Sequence, residues 1–153
     1  MAKIEFYMDS DGSKQVHTFI NDLKLKANSN HDIKHLYMFV LHGLEFLKKE
    51  GVEHAKNHLS VLSRDDGTAY TIRLIKDLIG YSPLLEFRIN WVEVGAVRII
   101  FFEYTHREET YFVLMRAVLK QSTTDIDFIR ARNECKQLLP GFYLEPKKYI
   151  NIE

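Results

Sequence analysis

The 153-residue chain contains one cysteine, one tryptophan, three prolines and seven glycines. A lone thiol, Cys135, cannot close a disulfide within the chain, so the fold has to rest on its own core and the expected home is a reducing cytoplasm. The scarcity of glycine and proline excludes collagen-like and low-complexity classes. Long apolar runs are missing as well. The most apolar stretch, Ile99-Ile100-Phe101-Phe102, is closed by Arg98 and Glu103, far short of the roughly 20 residues that a bilayer requires. Glu5 and Asp9 interrupt the first residues before an apolar run develops, which argues against a secretory signal. Net charge is absent too, with 21 Lys and Arg against 21 Asp and Glu. Proteins that coat nucleic acid usually carry a basic excess, so any anion-binding surface here has to be a local cluster.

What the chain does have is apolar material: 46% of its residues are hydrophobic, enough for one globular domain with a sizeable core. No linker, repeat or charge run divides it. Lys3 to Tyr7 reads as a strand. Ser13 then caps a helix whose apolar positions are Val16, Phe19, Ile20 and Leu23. A longer helix is expected from the capping-box-like Ser29 and Asp32, with Ile33, Leu36, Tyr37, Val40, Leu41, Leu44 and Leu47 on its apolar face and Gly51 at its end. Between Val52 and Tyr81 a short helix over His54 to Leu62, a turn at Asp65-Asp66-Gly67 and an extended run Tyr70 to Leu74 compete.

From Pro83 the period changes to two. Leu85, Phe87, Ile89 and Trp91 alternate with Glu86, Arg88 and Asn90, as in a strand with one polar face. Gly95 marks a turn, Val97 to Tyr104 is apolar on both faces like a central strand, Thr105 to Thr110 is a polar loop, and Tyr111 to Leu119 is a third strand. Thr123 or Thr124 caps a last helix with Phe128, Ala131, Cys135 and Leu138 on one face, stopped by Pro140-Gly141. The expected fold class is α+β: an N-terminal strand and helices packed on one face of a mainly antiparallel sheet, with a C-terminal helix. The domain would span residues 1–140, followed by a tail at 141–153, and the second sheet face would be free for work.

The polar sides of these strands carry Arg88, Arg98, Arg116 and, just past the last strand, Lys120. If those sides coincide, four cations converge on one face, an arrangement suited to a phosphodiester and to the extra negative charge of its transition state. The alternative is structural: strand arginines often sit in cross-strand ion pairs, here with Glu86, Glu103, Glu108 or Glu109.

The segments Leu85-Glu86-Phe87-Arg88, Val97-Arg98-Ile99-Ile100-Phe101-Phe102 and Phe112-Val113-Leu114-Met115-Arg116-Ala117-Val118-Leu119-Lys120 resemble successive strands of RelE/HigB-type toxins of bacterial type II toxin–antitoxin systems, especially the phage-derived branch. Lys3-Ile4-Glu5-Phe6-Tyr7, with Gly12, Val16 and Phe19-Ile20-Asn21-Asp22-Leu23, is similar to that branch too. The resemblance implies a ribosome-dependent mRNA endonuclease in which the 2′-hydroxyl attacks the neighbouring phosphate without metal or cofactor. It also implies a cognate antitoxin, often a helix-turn-helix protein, as partner beside the ribosome and mRNA, and no membrane. By that resemblance Arg88 and Arg98 ground the RNA backbone, Lys120 is a basic position after the last core strand, and Arg116 stands where relatives often carry a histidine. The chain departs from the family at Lys120-Gln121-Ser122-Thr123-Thr124, where relatives usually show Lys-Lys-Thr and a following Thr-Pro. It departs again at Ile126, the position nearest to a catalytic tyrosine. Tyr104, His106 and Tyr111 are the nearby residues able to supply a base. A non-catalytic binding protein of the same fold and a ParE-like inhibitor of DNA gyrase are the alternatives.

His31 and His35, and His54 and His58, stand four apart, a spacing that can bind zinc on a helix face. Ala55 follows His54, so the zincin glutamate is missing there. With no third ligand in view, both pairs read as exposed helix histidines, and Cys135 reads as a core residue.

Overall fold

The computed structural model describes residues 1–57, 59–63, 69–91, 94–121 and 125–152. In chain order these form β1 (Lys3–Phe6), α1 (Gln15–Ala27), α2 (His31–Asn57), β2 (Leu59–Ser63), β3 (Ala69–Arg73), β4 (Ile75–Asp77), β5 (Leu85–Trp91), β6 (Gly95–His106), β7 (Glu109–Lys120) and α3 (Ile126–Leu144). A 3₁₀ turn, Pro146–Lys148, follows. The main sheet has the order β1-β7-β6-β5-β4, and β2 and β3 form a separate antiparallel pair. β4 to β7 are antiparallel, whereas β1 lies parallel to β7, Phe6 opposite Leu114. The α+β class and the β5-β6-β7 meander therefore stand as expected.

β6 is the central strand because both of its faces are apolar. Val97, Ile99 and Phe101 point to one side, where they meet Phe87, Ile89, Leu114 and the buried faces of α1 and α2: Val16, Leu23, Leu36, Val40, Leu44 and Leu47. Gly43 lets α2 approach closely, since a Cβ there would stand 2.8 Å from the Phe87 ring. Ile100 and Phe102 point to the other side and pack with Val113, Met115, Phe128, Ala131, Cys135, Leu139 and Phe142. That second layer corrects the expectation of a free face. Burying aromatic side chains of this size is strongly favourable, and α3 covers β7 and β6 to do it.

Helix boundaries depend on local hydrogen bonds that periodicity does not report. Ser13 spends its hydroxyl and N–H on Asp11 Oδ1, at 2.6 and 3.0 Å, so α1 starts later, after Lys14, which makes no side-chain cap. Asn30, one residue past the expected Ser29, caps α2 by accepting from Ile33 N at 3.1 Å. Gly51 breaks the helical path with φ of 82°, a conformation open to glycine, yet the helix resumes and runs to Asn57. The expected helix from His54 thus ends early, and Leu59–Ser63 is a strand. Leu41 is exposed rather than core. Between β6 and β7 the expected six-residue loop is a tight turn on Arg107 and Glu108, both with positive φ, the geometry that matches strand twist in a short hairpin. Asp125 caps α3, its carboxylate accepting from Asp127 N and Phe128 N. Thr123 and Thr124, like His58 and Asp65-Asp66-Gly67, lie outside the described residues.

Pro140 does not stop α3; the helix continues to Leu144. Residues 141–152 are also not a loose tail. Phe142 and Ile150 are buried, Met8 N donates to Tyr149 O at 2.9 Å, and the rings of Tyr7 and Tyr149 stack 5.1 Å apart. Along the edge of β7 that β1 covers, past the end of β1, Gln15 bonds Ala117 twice: its Nε2 donates to Ala117 O at 2.8 Å and its Oε1 accepts from Ala117 N at 2.7 Å.

Candidate functional site

The strand registers decide which cations share a face. Arg88 lies directly opposite Arg98, Glu86 opposite Ile100, Arg98 opposite Val118, Ile100 opposite Arg116, and Ala96 opposite Lys120. Residues directly opposite one another share a face, so Arg88, Arg98, Arg116 and Lys120 all project to the α3 side, Arg116 and Lys120 because a bulge at Met115 interrupts the alternation that runs through Phe112 and Leu114. The condition left open by the sequence, that these sides coincide, is therefore met. What differs among the four is the company each keeps.

Arg98 is buried and holds its Nε 2.8 Å from Glu86 Oε1. Its Nη1 donates to Asn90 Oδ1 at 2.8 Å and to Val97 O at 3.1 Å. Burial pushes its guanidinium down to about 10, Glu86 acts to restore it, and the neighbouring Arg88 charge depresses it further. Arg88 is half-buried. Its Nε lies 3.8 Å from the same Glu86 oxygen and makes no hydrogen bond. One carboxylate thus faces two guanidinium groups, which leaves an excess positive charge at a site with restricted access to water.

Arg116 serves a different purpose. Its Nη2 reaches Asp9 Oδ1 at 2.7 Å, its Nε reaches Glu134 Oε1 at 2.6 Å, and Nη1 donates to Met115 O at 2.8 Å. Burial penalises its charge, but the hydrogen bonds to Asp9 and Glu134 outweigh that cost and hold its pKa above the ordinary arginine value. With both ends of its fork occupied, it ties the β1–α1 turn to α3. Lys120 lies at the end of β7, its Nζ 5.4 Å from the centre of the Phe128 ring.

Of the acids expected to neutralise these cations, Glu86 does so; Asp9 and Glu134 are the other carboxylates, and the neutral amide of Asn90 adds an acceptor for Arg98. Asn90 follows from the same two-residue alternation that exposed Arg88. Asp9 and Glu134 carry no local signal, since each meets Arg116 only through the tertiary fold. Tyr104 and His106 stack on each other near the hairpin end of β6. His106 is eight residues along the strand from Arg98, about 27 Å at the usual strand rise, so neither group can serve the arginine pair. Tyr111 is buried in the second core, and Ile126 stands exposed at the first turn of α3. Cys135 is fully buried, and burial pushes its thiol up to about 12.

Among the described residues no group of three or more His, Cys, Asp and Glu side chains is placed to hold a metal ion, and no described helix is long and apolar enough to cross a membrane. Comparison with protein-family models, with curated proteins and with solved structures finds no match to this chain.

Proposed function

We propose that this chain is a RelE/HigB-like toxin that cuts translated mRNA on the ribosome and is held in check by a cognate antitoxin. The observation that carries the proposal is the in-register pair Arg88 and Arg98, two guanidiniums on one sheet face sharing a single carboxylate. Such a pair favours a bound phosphate and stabilises it further as negative charge builds during in-line attack. The arrangement of an N-terminal strand, two helices, a three-strand meander and a last helix supports the RelE-like reading alongside the strand motifs. In this reading Arg88 contacts the scissile phosphate, Arg98 fixes the field behind it, and Lys120 grounds the backbone at the edge of the face. Arg116 leaves the four-residue clamp and acts in the scaffold.

The ion pairs at Arg98 and Arg116 favour one second reading, a non-catalytic protein of the same fold that binds its partner through this sheet. Induced expression in bacteria with mapping of mRNA 5′ ends separates the two. Codon-phased breaks that vanish with Arg88→Ala support the endonuclease. Growth arrest with intact mRNA and damaged DNA moves the assignment to gyrase inhibition. Absence of toxicity when no antitoxin is present overturns both active forms and leaves the binding protein.

A further inference from the structure

The start of α2 carries a second cluster, on the opposite side of the sheet from the arginine pair. His31 and His35, one turn apart, bring their Nε2 atoms to 3.1 Å. Their rings are edge-on at 85° with centres 4.5 Å apart. A straight N–H···N bond of that length would separate the ring centres by about 5.4 Å, given the preference of hydrogen bonds for near-linear geometry. The observed arrangement is therefore bent, and the two Nε2 atoms stand at the separation of two ligands on one ion.

That shape suits a shared cation. With metal–nitrogen distances of about 2.05 Å, a 3.1 Å separation corresponds to an N–metal–N angle of about 98°, between the right angle of a square-planar site and the tetrahedral angle. Imidazole nitrogens in such a cis arrangement favour the later first-row divalent ions, copper(II) above nickel and zinc. The pair is also preoriented. The His35 ring stacks on Trp91, 5.1 Å between centres and 5° between planes. Trp91 is itself held by its indole N–H donating to Asp32 Oδ1 at 2.9 Å. His31 is exposed and His35 half-buried, so an ion can reach the pair from solvent.

We propose that His31 and His35 form a two-imidazole chelate for a late first-row divalent cation at the first turn of α2. The site stands apart from the arginine pair and does not depend on the function assigned to it. The expectation that these are simply exposed helix histidines changes accordingly: one of them is packed against the only tryptophan of the chain.

The stacked ring supplies its own reporter. Copper(II) titrated into the full-length protein at neutral pH is expected to quench Trp91 fluorescence saturably at one ion per chain, and zinc(II), which does not quench, should restore the signal by competition. His31→Gln leaves the His35–Trp91 stack in place and is expected to weaken copper binding at least tenfold, while circular dichroism stays unchanged. The paramagnetic resonance spectrum of the copper complex should show two equivalent nitrogen ligands in the wild type and one in the variant. Equal copper affinity in wild type and His31→Gln, or quenching that does not saturate at one ion per chain, overturns the proposal.

Discussion

Arg88 and Arg98 face one another across β5 and β6 yet are unequal partners of the same carboxylate: Glu86 Oε1 lies 2.8 Å from Arg98 and 3.8 Å from Arg88. Arg98 is therefore needed by the fold, and Arg88 is available to a ligand. Arg98→Ala leaves Glu86 buried without its close partner, and loss of about 3–5 kcal/mol is expected for breaking a buried pair this way. Arg88→Ala should change stability by less than about 1 kcal/mol, since its pairing is loose and half-exposed. Urea unfolding of the two variants checks the contrast. Equal losses would show that the two arginines are energetically equivalent and remove the distinction on which the choice of Arg88 rests.

Arg116 joins segments far apart in sequence, Asp9 before α1 and Glu134 within α3. Substituting Met keeps most of the apolar stem but abandons both carboxylates. The expected cost is about 1.5–3 kcal/mol, the range for charge-assisted hydrogen bonds, with Glu134 contributing least because it is well exposed. Amide hydrogen exchange should accelerate at the start of α1 and the middle of α3 together. Acceleration of one without the other would contradict a joint role.

Gly43 sits where α2 crosses the sheet. A methyl group there collides with Phe87, itself fully buried, so Gly43→Ala should destabilise by about 1–3 kcal/mol despite the better helix propensity of alanine. Gly43→Ala combined with Phe87→Leu should recover part of the loss. Thermal melts of the single and double variants report both effects.

Burial raises the Cys135 thiol from 9.0 to about 12. The native chain binds the thiol proton more tightly than the unfolded chain, so this group's stabilisation is complete below about pH 9 and is lost as pH climbs toward 12. Relative to Cys135→Ala, the wild type should lose stability across that window and not below it, as read from unfolding midpoints at pH 8, 10 and 11. The same burial predicts that a thiol reagent at pH 8 modifies Cys135 only in the unfolded chain.

The period-two pattern from Leu85 onward made the meander legible, because alternation is a direct consequence of strand geometry and both cores lie on β6. It left open whether all four cations share a face: unbroken alternation from Phe112 and Leu114 would turn Arg116 toward α1 and α2, and the bulge at Met115, opposite Ile100 and Phe101, carries Arg116 and Lys120 to the side of Arg88 and Arg98. Alternation does not carry information about partners. Glu86 was visible two residues from Arg88, whereas Asp9 and Glu134 are brought to Arg116 only by the turn before α1 and by the second helical layer. That layer was hidden for a similar reason: Pro140-Gly141 looks like a stop in one dimension, while Phe142 and Ile150 are drawn inward by the aromatic surface of β6. At the helix starts, short polar residues compete for one cap, and Asn30 and Asp125 prevail over neighbours of nearly equal propensity.

Gln15 gives the sheet a finished border. β1 is four residues long, and Ala117 of β7 lies beyond its reach. An open strand edge is a template on which another chain can pair. The Gln15 amide presents one donor and one acceptor in the place where a neighbouring peptide group would present its own, so at Ala117 the edge is already occupied. A side chain at the first turn of a helix thus does for the sheet what a fifth residue of β1 and its successors would have done, and it does so without lengthening a strand whose own outer edge would remain open to a second molecule.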